Sequence, residues 1–224
     1  PYFCEKYGNP SGIYKMASEC RQALETVRKQ IGKTLKVSAE EIYFTSGGTE
    51  SDNWAIKSTA QRLKEKGKHI ITSKIEHHAV LNSCAYLETQ GFEVTYLDVD
   101  EWGCVRFDAL QRAIRKDTIL ISIMYANNEV GTINDISSIS EICHAKDIAM
   151  HSDITQSLGK IPIDVKKLGI DYASCSAHKL YGPKGVGAAY LKADDYGICP
   201  ITAFLHGGEQ EFGVRAGTLS VHNI

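Results

Sequence analysis

Short runs that read as β-strands alternate along this chain with longer segments whose apolar residues recur every three or four positions. That alternation is the strongest constraint on its fold. The strand-like runs are Ile42–Thr45, His69–Thr72, Glu93–Leu97, Ile119–Met124, Ile148–Ser152 and Asp171–Ser176. Between and before them, Ala17, Cys20, Leu24, Val27, Ile31 and Leu35 mark one amphipathic helix with a charged opposite face. Further helices are expected from Glu50 to about Lys66, His77 to Gln90, Asp108 to Arg115 and Asp135 to Lys146. Gly91 is placed to cap the helix that ends at Gln90. Ser38-Ala39-Glu40-Glu41 resembles a capping box, but the strand starting at Ile42 leaves room for one turn only. The pattern predicts an α/β fold: a mostly parallel sheet with helices on both faces. It weakens after Lys192, and no linker divides residues 1–190.

In such sheets ligands sit beyond the carboxyl ends of the strands, where turns lead into helices. Thr49, His77, Asn127, Asn128, Asp153, Gln156 and Lys179 all fall there. Lys179 closes a strand-like run and opens the glycine-rich turn Gly182-Pro183-Lys184-Gly185-Val186-Gly187. At the end of a buried strand, desolvation favours the neutral, nucleophilic amine that a Schiff-base lysine needs. The plainer alternative is a solvated turn lysine. Two other strand ends argue for a site: Ala149-Met150-His151-Ser152-Asp153 finishes on an acid, and Ser46-Gly47-Gly48-Thr49 is a turn suited to cradling phosphate. Ser176 and Lys179 also spell Ser-x-x-Lys, but the companion Ser-Asp-Asn and Lys-Thr-Gly elements of penicillin-recognising enzymes are absent.

Composition narrows the alternatives. The 224 residues are 43% hydrophobic and 23% charged, ordinary for a soluble globular protein, and the net charge of −2 offers no basic surface for nucleic acid. The longest apolar run, from Ile119 to Ala126, is too short to span a bilayer. Seven scattered cysteines with no Cys-x-x-Cys pair suggest a reducing compartment and no structural zinc; a cytoplasmic location and no metal site are expected.

Seven motifs in order give the chain a family resemblance. They are Gly-Asn-Pro-Ser at 8–11, Phe-Thr-Ser-Gly-Gly-Thr-Glu-Ser-Asp-Asn at 44–53, Ile-Glu-His-His-Ala-Val at 75–80 and Asn-Asn-Glu-Val-Gly at 127–131. Asp-Ile-Thr-Gln-Ser at 153–157, Ser-Ala-His-Lys-Leu-Tyr-Gly-Pro-Lys-Gly at 176–185 and Arg-Ala-Gly-Thr at 215–218 complete the set. Over essentially its whole length the chain resembles the cysteine desulfurases of the NifS/IscS type, aminotransferase class V enzymes of the aspartate-aminotransferase-like, pyridoxal-phosphate-dependent fold.

The resemblance implies that Lys179 holds pyridoxal 5'-phosphate through a Schiff base and that Asp153 pairs with the pyridine nitrogen. By itself Asp153 reads equally as a helix N-cap. The resemblance further implies that Gln156 bonds the cofactor's phenolic oxygen and that His77, rather than its neighbour His78, stacks on the ring and exchanges protons. Gly48, Thr49, Ser176 and His178 are implied to hold the phosphate, and Thr218 to reach the phosphate site of the partner in a homodimer. Asn128 is implied to contact the ring oxygen region and substrate carboxylate, whereas Asn127 bonds its own loop.

The implied reaction converts L-cysteine to L-alanine and passes sulfur, as an enzyme persulfide, to an acceptor such as an iron–sulfur scaffold. A selenocysteine lyase, or another class V enzyme, would share the lysine, acid and histidine; a non-catalytic, dimer-forming fragment is the rival of another class. Gly12-Ile13-Tyr14 departs from relatives that carry a histidine soon after Gly-Asn-Pro-Ser. The persulfide cysteine and carboxylate-binding arginine of the family lie well downstream of Arg-Ala-Gly-Thr. Residues 1–224 are therefore expected to be a pyridoxal-phosphate-binding large domain cut at both ends, with the small domain largely missing and no activity of its own. Cys84, Cys104, Cys143 and Cys175 are read as packing or incidental residues.

Overall fold

The computed structural model describes residues 1–224. Its centre is a seven-stranded sheet made of β1 (Ile42–Thr45), β2 (His69–Ser73), β3 (Glu93–Leu97), β4 (Thr118–Ser122), β5 (Ala149–Asp153), β6 (Tyr172–Ser176) and β7 (Gly187–Leu191), in the order β1-β7-β6-β5-β4-β2-β3. Five neighbours, from β6 to β3, run parallel; β7 runs antiparallel between β1 and β6. Five helices accompany it: α1 (Lys15–Leu35), α2 (Gly48–Leu63), α3 (His78–Thr89), α4 (Phe107–Ala113) and α5 (Ile136–His144). β2, β4, β6 and β7 are buried along their whole length, as strands covered on both faces must be. Gly91 ends α3 with a φ of +83°, and Ser38 N–H donates to Glu41 across a single 3₁₀ turn at Ala39–Glu41. No helix is long and apolar enough to cross a membrane.

Three features differ from the sequence expectation. β7 falls on Gly-Ala-Ala-Tyr-Leu, which lacks the β-branched residues that announce a strand; its strand state comes from β1 and β6 on its two sides. A side chain at Gly187 would place Cβ 2.5 Å from the Cys175 carbonyl oxygen and 2.7 Å from Gly47 Cα, so only glycine lets β7 lie so close to both. The second helix starts at Gly48 rather than Glu50, because Gly47, at φ +149°, turns the chain out of β1 with no residue to spare.

The third difference is in α1. Ala17, Cys20, Leu24 and Leu35 are buried as expected, but the charged Arg28 shares that face and is only 3% exposed. Its guanidinium donates to Glu211 Oε2 at 2.9 Å and Oε1 at 2.6 Å, and to the Ile42 carbonyl, while lying over the Phe44 ring. Glu211 Oε2 also accepts the Phe44 N–H at 2.7 Å. A buried charge is tolerated only when paired and hydrogen-bonded, and this pair ties the segment after β7 to α1 and β1.

Candidate active site

The turns at the carboxyl ends of β1, β4, β5 and β6 and the turn before α3 meet around a cavity of about 260 Å³. From the first comes the start of α2, with Gly48 and Thr49; the first backbone N–H groups of a helix have no intrahelical partner and form an anion site. A Cβ at Gly48 would stand 3.2 Å from Thr155 Oγ1 and 3.5 Å from Ser176 Cβ, so glycine keeps this cradle open. Ser176, at the end of β6, is hydrogen-bonded to His178 Nδ1 at 2.8 Å, and both line the same wall.

Asp153 ends β5 and is 6% exposed. Burial pushes its carboxyl up, against hydrogen bonding from Thr155 and the nearby His77 imidazole. Its Oδ1 accepts the Thr155 N–H at 2.9 Å. Gln156 lines the cavity one residue further on; its Oε1 accepts from Lys160 Nζ at 2.6 Å, leaving its amide N–H groups for the cavity. His77 is the N-cap of α3, and its Nδ1 accepts the Ala79 N–H at 3.1 Å. In that geometry the ring proton is on Nε2. His78 begins the helix proper and is absent from the cavity lining.

Asn127 and Asn128 part as expected. Asn127 Oδ1 accepts the N–H groups of Glu129 and Val130 and its Nδ2 donates to the Ile75 carbonyl, whereas Asn128 is exposed and faces the cavity. A larger cavity of about 790 Å³ adjoins on that side, sharing His77 and Asn128.

Lys179 lines the cavity, but not as a buried strand end. β6 stops at Ser176, and the lysine belongs to the exposed 3₁₀ turn Ala177–Leu180 at the rim. Its side chain therefore owes no burial to this chain. Thr218 lies outside the cavity, exposed, on a segment held to the first turn of α2 by Arg215, which donates to Glu50 at 2.7 and 3.0 Å. None of the seven cysteines lines the cavity. Burial pushes the thiols of Cys84, Cys143, Cys175 and Cys199 up to about 12, the opposite of what a nucleophile needs.

Sequence reasoning missed Asp52, Met124 and Thr155 in the lining, and the buried Glu76 beneath it. Glu76 accepts from Ser73 Oγ at 2.7 Å and from the Met124 N–H at 3.0 Å, yet burial pushes its carboxyl up to about 8. A folded-state value raised above the unfolded one means that the folded protein binds the extra proton. Stability is then fully present below about pH 4.5 and falls as pH rises toward 8. The melting temperature of wild type should fall relative to that of Glu76→Gln across this window; parallel profiles would show that Glu76 is ionised throughout.

The donor set fits pyridoxal phosphate: an anion cradle of helix N–H groups and hydroxyls, a buried acid for a pyridine nitrogen, and an amine at the rim for an aldehyde. The aminotransferase class-V family model matches residues 1–218. The chain is 55% identical over 224 residues to the cysteine desulfurase IscS of Methanosarcina thermophila, covering 54% of it. It is 54% identical to the IscS of Dictyoglomus turgidum, covering 56%. Among solved structures, a NifS-like protein superposes with a TM-score of 0.94 at 44% identity, covering 99% of this chain and 60% of that one. A structure described as SspA in complex with cysteine superposes at 0.95 with 41% identity, covering 100% and 64%. The chain thus spans about half the length of the curated relatives it matches.

Proposed function

This chain belongs to the aminotransferase class-V family, and from that premise we propose that it is the cofactor-binding large domain of a homodimeric cysteine desulfurase. The observation that carries the proposal is the single cavity that collects Lys179, Asp153, His77 and the Gly48-Thr49 helix start from separate strand ends. The substrate class rests on relatives named cysteine desulfurase and on a similar protein solved with cysteine.

Bound there, pyridoxal phosphate supplies an aldehyde for amines and a ring that takes up the electron pair left at a substrate's α-carbon. The α2 N–H groups, Thr49, Ser176 and His178 hold the phosphate. Asp153, anionic and fixed by Thr155, keeps a proton on the pyridine nitrogen. Gln156 donates its amide N–H to the ring oxygen, and Asn128 meets that oxygen and the substrate carboxylate. Lys179 would supply the amine that holds the aldehyde and, when free, the general base for a substrate's α-proton. His77, its Nδ1 engaged by Ala79, would stack on the ring and have Nε2–H free as a proton donor. Thr218, outside this cavity, reaches the phosphate site of the second copy.

Attack of a thiolate on the L-cysteine sulfur would form an S–S bond and break the C–S bond, whose electron pair and a proton end in the methyl group of alanine; none of these seven cysteines provides that thiol, since none lines the cavity. The sulfur passes as a persulfide to an acceptor such as an iron–sulfur scaffold, in the cytoplasm. The test is alanine release by the full-length protein supplied with pyridoxal phosphate, L-cysteine and a reductant. Stoichiometric alanine and sulfide are expected; turnover of selenocysteine but not cysteine would transfer the site to a lyase.

A further inference from the structure

Across four adjacent strands beneath α2 runs a stripe of polar side chains in an otherwise apolar interior. Thr72 of β2 donates to the Ser122 carbonyl of β4 at 2.8 Å; Ser122 Oγ is hydrogen-bonded to His151 Nδ1 of β5 at 2.8 Å; His151 Nε2 is hydrogen-bonded to Ser174 Oγ of β6 at 2.9 Å. His151 is wholly buried, and burial lowers its imidazole to about 3, so it is neutral. Above it on α2 lies Asp52, 1% exposed, with Oδ1 3.6 Å from His151 Nε2 and without a hydrogen-bond partner.

Asp52 lines the floor of the cofactor cavity together with Asp153, which shares its strand face with His151 two residues earlier and is paired in register with Ser174. Two buried carboxylates facing one cavity cannot both ionise cheaply in a low-dielectric interior. Their surroundings differ: Asp153 Oδ1 accepts the Thr155 backbone N–H at 2.9 Å, which favours its anion, whereas Asp52 Oδ1 has no hydrogen-bond partner and only the Ser174 hydroxyl favours the Asp52 anion.

We propose that Asp52 is a positioning residue for Asp153: a neutral carboxylic acid at the end of the Ser122–His151–Ser174 chain that leaves Asp153 as the one anion under the cofactor. This rests on the pyridoxal-phosphate reading of the cavity. Burial, then the charge of Asp153, holds the Asp52 carboxyl well above the usual carboxylate range. The titratable groups reaching Asp52 are His151 and Asp153 on β5, Cys175 on β6 and Glu76 before α3, while Tyr43 packs against Trp54 further along α2. None is a cation that would draw the proton off. An aspartate here, rather than an apolar residue, fills the polar end of the stripe without adding a second negative charge beside the ring.

The test is difference infrared spectroscopy of the cofactor-free full-length protein near neutral pH. Asp52→Asn should remove one carbonyl stretch of a protonated carboxylic acid, and Asp153→Asn one carboxylate stretch. The reverse pattern, or two lost carboxylate bands, overturns the proposal. Should Asp52→Asn fail to fold, Asp153→Asn alone decides, since loss of an acid band there assigns the proton to Asp153. In the loaded protein, the ring-nitrogen resonance of ¹⁵N-labelled pyridoxal phosphate should stay that of a pyridinium in Asp52→Asn and lose that character in Asp153→Asn, which assigns the anion under the ring to Asp153. Loss of the pyridinium signal in Asp52→Asn would make Asp52 the anion. The infrared readout needs no cofactor, so failure of the cofactor reading and failure of this inference are told apart.

Discussion

In the full-length protein Lys179→Ala should lose alanine formation by about 10⁴-fold or more, because in the proposed function one substitution removes both the covalent attachment and the general base. The same variant should keep its melting temperature close to wild type, since Lys179 is exposed on the turn Ala177–Leu180 and makes no hydrogen bond or ion pair there. Two measurements check it. Borohydride reduction of the loaded wild-type protein, followed by peptide mapping, should place the pyridoxyl group on Lys179; the variant should release pyridoxal phosphate on dialysis after the same treatment. A pyridoxyl group on Lys184 or Lys160 would end the assignment, and so would a variant that keeps turning over cysteine. The separation of a large catalytic loss from a small stability change marks a residue that serves chemistry rather than packing.

The opposite signature is expected at Arg28. Arg28→Met leaves Glu211 as a buried, uncompensated carboxylate, which costs about 3–5 kcal/mol of folding stability. The side chains are 4% and 2% exposed, so solvent screens them little. Combining Arg28→Met with Glu211→Gln should cost less than Arg28→Met alone, because no charge is left stranded and the glutamine oxygen still accepts the Phe44 N–H. Urea titration of both variants checks this; equal or additive losses would mean that packing of the guanidinium on Phe44, not its charge, carries the effect. The pair also holds the segment that leads through Arg215 to Thr218.

Much of the site is legible in one dimension, for a reason that belongs to parallel sheets. Each strand end delivers its last and next few residues to the same edge, so finding the strands locates the edge where Thr49, Asn128, Asp153 and Lys179 gather. Local chemistry separates neighbours too: Asn127 is consumed by its own loop, and His77 caps α3 through Nδ1 with Nε2 left over, whereas His78 belongs to the helix. Burial is less legible. Lys179 looked like a strand end held near the core, but β6 stops three residues earlier and a 3₁₀ turn carries the lysine to the rim.

The alternation of strand and helix, the turns and the motif residues are thus determined by the sequence alone, because periodicity and turn chemistry act between residues a few positions apart. Tertiary structure decided the rest. It made Gly187–Leu191 a strand by enclosing it between β1 and β6, and buried Arg28 by bringing Glu211 to it from 183 positions away. It set Asp52 of α2 over His151 of β5, beneath a cavity that neither residue's neighbours announce. These are long-range pairings, in which a polar group is buried only because a distant partner arrives or a distant charge is close enough to hold a proton. No local pattern encodes such a meeting.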